Sequence, residues 1–207
     1  MAAPNGSERL DRLDAIEQRI WTELGLAAQR RVAGGGGSHE WRTVVLATVD
    51  DGAPDARTLV LREVDARERT LVFYTDARSP KVRQIEASPA GALMCWSREL
   101  DWQLRMQVRL AVQTSGLAVS SRWAKLQFSP AAHDYLAPHA PGTALGEADD
   151  VADAPAPRAE HPSPDIQSRN HFAVITALVD EIDWLELHED GHRRAMFSPT
   201  ASQWVQP

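Results

Sequence analysis

The feature of the sequence that most constrains its fold is a series of short apolar segments, each bounded by turn residues. Residues 102–112 (WQLRMQVRLAV) show the pattern most clearly, because Leu104 and Met106 alternate with Gln103 and Arg105. Alternation with a period of two places one set of side chains on each face of a β-strand. The segment is therefore predicted to be a half-buried strand with one polar face.

Similar segments recur along the chain and are separated by turn signals. The further β-like segments are 42–49, 56–64, 69–75, 91–96, 171–179, 181–187 and 193–197. Asp51-Gly52 and residues 65–68 are typical of the turns that join antiparallel strands. About eight short strands with few long helices predict a mainly β protein, either an antiparallel barrel or a sandwich.

Three segments have helical patterns and two more are predicted to be irregular. Apolar residues at three- and four-residue steps predict a helix over 7–32, with Ser7 as its N-cap. Shorter helices are predicted at 80–87 (PKVRQIEA) and, in two pieces, at 121–136. The Gly-rich stretch 34–38 is predicted to be a joint, and the Pro-, Ala- and acid-rich stretch 149–164 a flexible loop within a single domain over 1–207.

Composition and charge exclude several kinds of site and partner. The net charge of −7 argues against nucleic acid or an anionic membrane as the main partner. The sequence has no run of about 18 apolar residues and no secretory signal pattern, so we expect a soluble cytoplasmic protein. Cys95 is the single cysteine, which excludes a disulfide framework. His188 and His192 flank a predicted turn rather than sharing a helix face, so we predict no metal site.

The segment FYTDARSPK, residues 73–81, raises the question of an anion site. Ser79-Pro80 is a favourable helix start directly after a strand, and Arg78 and Lys81 flank it. A helix N-terminus with a hydroxyl and two cations binds phosphate well. The surrounding stretch 57–109 carries a net charge of +3 within an acidic protein. These residues alone leave open both a phosphate site and a solvated turn.

Several separated motifs resemble a known family. They are ARTLVLREVD, LVFYTDARSPKVRQIEASP, ALMCW, QLRMQ and DWLELHEDGHRRAMF, followed by Trp204. Over roughly 40–135 and 170–207, the chain resembles the pyridoxamine 5'-phosphate oxidase-like family of FMN-binding split barrels. It is most similar to a bacterial subgroup that is related to the true oxidase but distinct from it. The resemblance implies a split β-barrel with a few peripheral helices, and a homodimer with FMN sites at its interface.

The resemblance also implies which residues contact FMN. Along the flavin and its phosphate tail it implies Arg57, Thr58, Leu59, Val60, Leu61 and Arg62. Near the ring, the ribityl chain and the phosphate it implies Tyr74, Thr75, Arg78, Ser79 and Lys81. Across the interface and around the remaining cofactor it implies Gln103, Arg105, Trp184 and Arg194. Arg57 and Arg62 are an odd number of residues apart, so either the strand bends or only one of them contacts FMN.

The sequence differs from the true oxidase at the residues with which that enzyme binds the phosphate of its substrate. The family's Tyr-x3-Arg-x3-Ser set is absent between positions 123 and 141, and its Arg-x-His is Asp190-Gly191-His192 here. We therefore expect an FMN-dependent oxidoreductase that transfers hydride to or from an unidentified small molecule. The alternatives are an authentic pyridoxamine/pyridoxine 5'-phosphate oxidase and a non-catalytic flavin- or haem-binding protein. His192 is the candidate catalytic residue, with an exposed turn histidine as the alternative.

Overall fold

The structure, a computed structural model, describes residues 9–29, 38–129, 132, 135–137, 139–144 and 171–207. The predicted N-cap at position 7, residues 34–37 of the predicted joint at 34–38, and the loop at 149–164 lie outside the described residues. Within the described ranges, no helix is long and apolar enough to cross a membrane.

The chain is built mainly of β-strands. The helices are α1 (Leu13–Ala28), a 3-10 helix (Glu40–Arg42), α2 (Pro80–Ala87) and α3 (Leu117–Leu126). The strands are β1 (Thr43–Asp50), β2 (Ala53–Asp65), β3 (Thr70–Asp76), β4 (Ala90–Ser97), β5 (Trp102–Gln113), β6 (Phe172–Glu186), β7 (Arg193–Phe197) and β8 (Ser202–Val205). The prediction of a mainly β protein with a few helices is confirmed.

The strands form a closed ring with an extension. The antiparallel order is β3-β2-β1-β4-β5-β6-β7-β8, and β3 also pairs with β6 along seven residues from Thr70↔Leu178 to Asp76↔Phe172. Six strands therefore close on themselves, while β7 and β8 continue outward from β6. This is the predicted split barrel, and it decides between the barrel and the sandwich.

Some element bounds differ from those predicted. Residues 171–179 and 181–187 form one strand rather than two, because β6 continues through a bulge at Asp180: Gln107 pairs with Glu181 and Val108 with Val179. One extra residue in a bulge breaks the alternation without ending the strand. Helix α1 begins only after Arg12, whose backbone is extended, and α3 begins four residues before the predicted start.

Two apolar clusters hold the elements together. The larger fills the barrel with fully buried side chains such as Leu46, Phe73 and Leu93, and α1 adds Ile16 and Ile20 to it. The smaller lies outside the barrel wall and comprises Val72, Val119, Trp123, Leu126, Ala132, Tyr135, Phe172 and Val174. Cys95 is buried, and burial raises the pKa of its thiol. The outer cluster attaches α3 to the wall formed by β3 and β6.

Candidate functional site

The junction between β3 and α2 holds a lysine among hydroxyl groups. Helix α2 begins at Pro80 with Ser79 as N-cap, as the Ser-Pro pattern predicted. The Ser79 hydroxyl makes no capping bond. Instead, the Lys81 ammonium donates to Ser79 Oγ and, at 3.3 Å, to Thr75 Oγ1. Both hydroxyl residues are buried, so the end of the Lys81 side chain is fixed at the base of the helix.

The charge of Lys81 has no carboxylate in ion-pair contact among the described residues. Burial lowers the pKa of this lysine, and the nearby Arg57 guanidinium lowers it further, against the weaker opposing effect of Asp76 and Asp55. A partly desolvated cation beside a second cation is electrostatically unfavourable without an anion. The local charge and the hydroxyl donors therefore fit a phosphate group.

Arg57 occupies the barrel side of β2, since it pairs in register with the buried Leu46. Its guanidinium donates to Thr48 Oγ1 at 2.5 Å and to Gln84 Oε1 at 2.8 Å, and it pairs with Asp55. Sequence reasoning missed Thr48 and Gln84, although both are buried polar residues. For Thr48 a signal was available, because it takes the inward position in the alternation of β1.

Arg78 is directed toward a different group from Lys81. Its Nη2 lies 2.7 Å from Asp76 Oδ2 and donates to the carbonyl oxygens of Ala137 at 2.8 Å and His139 at 3.4 Å. The hydrogen bond to Asp76 raises the pKa of Arg78. In this arrangement Arg78 neutralises a buried carboxylate and ties the junction to the segment after α3. Its predicted role in phosphate binding stays a prediction.

Arg62 lies in a bulge of β2, on the opposite side of the sheet from Arg57. Leu61 pairs with Phe73 and Glu63 with Val72, which leaves Arg62 as the extra residue. Its guanidinium carbon lies 5.4 Å from the centre of the Tyr74 ring. Its Nε is buried and has no hydrogen-bond partner among the residues that the structure describes. The bulge bends β2 but leaves Arg57 on the barrel side and Arg62 outside it, so both alternatives of the sequence analysis stay open.

A third set of predicted residues lies on the outward face of the sheet. It comprises Thr58, Val60, Gln103, Arg105 and Arg194. The face is continuous because Met94 pairs with Arg105, Trp96 with Gln103, and Gln103 with Leu185, which in turn pairs with Arg194. Asp183 accepts from Arg105 at 3.4 Å and from Arg194 at 2.8 and 2.9 Å. The hydrogen bond to Asp183 raises the pKa of Arg194.

The remaining predicted residues are separate from these groups. Leu59, Leu61 and Trp184 face the interior of the barrel, where Trp184 packs edge-to-face on Trp102 with ring centres 5.2 Å apart. The indole Nε1 of Trp184 is buried and has no hydrogen-bond partner among the residues described. His192 is exposed in the turn before β7, where its Nδ1 accepts from the backbone N–H of His188 at 3.2 Å.

Apart from Leu59, Leu61, Trp184 and His192, the predicted site residues of one chain fall into a basic junction, a bulge and an outward face. The junction and the bulge supply donors without matching anions, namely the Lys81 ammonium and the buried Nε of Arg62. Lys81 with its hydroxyl neighbours fits a phosphate group, and Arg62 offers a separate donor on the outside of the barrel. Among the described residues there is no group of three His, Cys, Asp or Glu side chains that could hold a metal ion.

Comparison with known proteins identifies the type of domain. Residues 18–114 match the family model described as pyridoxamine 5'-phosphate oxidase, FMN-binding domain, so FMN is the cofactor of this domain type. A pyridoxine/pyridoxamine 5'-phosphate oxidase of Thermosynechococcus vestitus is 40% identical over 96 residues, which are 45% of this chain and 41% of that protein. One from Rubrobacter xylanophilus is 44% identical over 72 residues, covering 34% and 32% of the two chains. The chain spans less than half the length of these curated relatives.

Solved structures share the fold over nearly the whole chain. A pyridoxamine 5'-phosphate oxidase-related, FMN-binding protein of Nostoc punctiforme superposes with a TM-score of 0.64 at 23% identity, covering 94% of this chain and 95% of that one. PhzG of Burkholderia lata, solved with tetrahydrophenazine-1-carboxylic acid, gives a TM-score of 0.65 at 16% identity, covering 100% and 98%. At these identities the likeness establishes the fold.

Proposed function

With residues 18–114 belonging to the pyridoxamine 5'-phosphate oxidase family of FMN-binding domains, we propose that this protein is a homodimeric FMN-dependent oxidoreductase. Its substrate is a small molecule. Bound FMN supplies hydride-transfer chemistry, while the protein binds, orients and electronically tunes the flavin. The observation that carries the proposal is Lys81, a half-buried cation among hydroxyl groups with a second cation beside it.

The residues present suit the parts of FMN in turn. Lys81, Ser79 and Thr75 would hold the phosphate, with Arg57 contributing positive charge from the barrel side. The buried Nε of Arg62 has no acceptor in the described part of the chain, and the ring and ribityl oxygens of a flavin offer acceptors. This distribution matches a ligand that has one anionic end and one polar, planar end.

The outward face of the sheet supports a homodimer. Val60, Met94 and Trp96 there are 36%, 42% and 40% exposed, which is a large apolar content for one side of a sheet. Gln103 and Arg105 lie beside them in the same register. A second copy packed on this face would cover the apolar residues and bring Gln103 and Arg105 of one chain toward the FMN of the other.

Two other functions compete with this proposal. The curated relatives are named as pyridoxine/pyridoxamine 5'-phosphate oxidases, which favours oxidation of that substrate. Against it, the Tyr-x3-Arg-x3-Ser set is absent, and Asp190 replaces an arginine with a side chain that would repel a phosphate. The second competitor is a flavin-binding protein without turnover. His192 stays a candidate catalytic residue, and its exposure before β7 agrees equally with the alternative of a turn histidine without a catalytic role.

Purification with FMN tests the proposal. We expect a yellow protein that binds FMN with micromolar or better affinity and whose flavin is reduced by NAD(P)H or dithionite and reoxidised by an acceptor. A colourless protein that fails to take up added FMN would sink the proposal. Formation of pyridoxal phosphate would instead support the authentic oxidase. Bound flavin that cannot be cycled between its redox states would support the non-catalytic function.

The dimer is tested separately by placing a charge on the outward face. Met94→Glu introduces a carboxylate where the proposed interface is apolar, so we expect a monomer with reduced FMN affinity. Leu117→Glu is the matched control, because Leu117 is 86% exposed at the start of α3. Light scattering gives the mass of both variants. An unchanged dimer in the Met94 variant, or a monomeric wild type, contradicts this part of the proposal.

A further inference from the structure

We propose that Arg122 of α3 is a positioning residue for the flavin site, acting through Glu63 to fix Tyr74 and Arg62. The inference rests on the proposed FMN-dependent function and extends it to a helix outside the barrel. Arg122 binds both oxygens of Glu63, with Nε 2.9 Å from Oε1 and Nη2 2.7 Å from Oε2. A two-pronged contact of this kind fixes the direction of a carboxylate as well as its place.

Glu63 passes this constraint to Tyr74. The Tyr74 hydroxyl donates to the same Oε1 atom at 3.0 Å. Although burial acts to raise it, the pKa of Glu63 is lowered overall by the hydrogen bonds from Arg122 and Tyr74. Burial and the adjacent Glu63 raise the pKa of the Tyr74 phenol. The carboxylate therefore stays ionised and the phenol stays protonated, which keeps the hydrogen bond between them intact.

The ring of Tyr74 is held by the same helix through a second route. Phe172 packs edge-to-face on Tyr74, with ring centres 5.1 Å apart, and Trp123 of α3 lies 5.3 Å from Phe172. The hydroxyl and the ring of Tyr74 are thus both restrained from α3. Arg62 lies over this restrained ring, and its buried Nε has no hydrogen-bond partner within the described ranges. The helix accordingly determines where two of the predicted flavin contacts point.

The position of the Arg122–Glu63 pair argues that its main effect is on ligand binding. Ion pairs at a partly exposed surface add little to folding stability. A pair that sets the orientation of a binding residue affects affinity more, because the bound geometry is then already present in the free protein. Lys125, one turn further along α3, also faces Glu63 but acts on it only through its charge.

The test compares Arg122→Leu with Arg67→Leu. Arg67 lies in the same region of chain as Arg62, but it is 94% exposed and paired only at 3.9 Å with Glu68, so its loss removes equal charge without touching Tyr74. We expect the Kd for FMN to rise about three- to thirtyfold in Arg122→Leu, which lies within the range of coupling energies found inside one hydrogen-bond network. The visible absorption bands of bound flavin should shift. Arg67→Leu should leave both measurements unchanged.

A double-mutant cycle distinguishes positioning from general destabilisation. If Arg122 acts through Tyr74, Arg122→Leu should have a much smaller effect in a Tyr74→Phe background, where the hydroxyl is already absent. Arg122→Lys keeps the charge but not the two-pronged contact and should restore affinity only in part. Equal affinities in the Arg122 and Arg67 variants, or additive effects in the cycle, overturn the inference while leaving FMN binding intact. A wild type that binds no FMN overturns both proposals.

Discussion

Replacing Lys81 by methionine separates the two effects expected of this residue. Methionine keeps the length and most of the apolar surface of the side chain while removing its charge. In the flavin-free protein, Lys81 is a partly buried cation whose pKa is lowered by burial and by Arg57. Its pKa is thus higher in the unfolded chain, and holding the proton at neutral pH works against folding. Lys81→Met removes this cost and gives up the contacts to Ser79 and Thr75.

The two consequences for the free protein nearly offset each other. The Thr75 hydroxyl retains its contact with the Asp76 carbonyl oxygen at 3.4 Å. We therefore expect the free energy of unfolding of the flavin-free protein to change by no more than about 1 kcal/mol. Binding behaves differently, because a charge-assisted hydrogen bond to phosphate contributes about 1.5–3 kcal/mol. Since about 1.4 kcal/mol is a factor of ten, the Kd for FMN should rise by about 10- to 150-fold.

Titration by quenching of flavin fluorescence measures this change, and riboflavin provides the internal comparison because it lacks the phosphate. Lys81→Met should bind riboflavin as the wild type does. Arg83→Met, on the same helix but with a side chain 75% exposed, should leave the affinity for both ligands unchanged. A folded Lys81→Met protein with the wild-type affinity for FMN would refute the assignment of Lys81 to the phosphate. So would an equal loss of affinity for riboflavin.

Three further predictions concern stability. Gly91→Ala should lower the free energy of unfolding by about 1–3 kcal/mol, because the new Cβ would lie 2.6 Å from Leu110 Cδ1 and 3.1 Å from the Ala47 carbonyl oxygen. In Gly25→Ala, within α1, the new Cβ would have no atom within 4 Å, so the free energy of unfolding should rise by about 0.5–1 kcal/mol. Burial acts to raise the pKa of Glu186, but its arginine partners lower it overall. The stability that ionised Glu186 contributes is therefore lost as pH falls through the lowered pKa. In Glu186→Gln, the free energy of unfolding measured with urea should fall less steeply at acid pH. A change in the free energy of unfolding of the opposite sign in either glycine variant would contradict its prediction. An unchanged dependence of that free energy on acid pH in Glu186→Gln would contradict the third.

Local signals in the sequence were sufficient for several elements. Helix α2 has the bounds predicted from its Ser-Pro start, because capping preferences act over a few neighbouring residues. The alternation of β5 likewise depends on nearest neighbours. By contrast, β6 was predicted as two strands, since the bulge at Asp180 interrupts the alternation without interrupting the hydrogen-bond ladder. Bulges are set by pairing with another strand and leave little trace in one segment.

The candidate site was predictable in its composition but not in its side-chain directions. In the sequence, Arg78 and Lys81 are two similar positive charges beside Ser79-Pro80. In the structure, Arg78 pairs with Asp76, whereas Lys81 donates to hydroxyl groups. The contact between Glu63 and Arg122 joins residues 59 positions apart. No local pattern marks such a contact, because it arises only when α3 packs on the finished barrel wall.

The pairing of β3 with β6 has a consequence for how the chain is made. Thr70 meets Leu178, and the segment that matches the family model ends at residue 114, well before β6 begins. During synthesis, β3 and β5 therefore remain without β6, the strand that pairs with both, until the ribosome has reached the segment Phe172–Glu186. Such unpaired strands invite association between chains. A fragment covering residues 18–114 should accordingly aggregate when expressed alone, and co-expression of the remainder should suppress it.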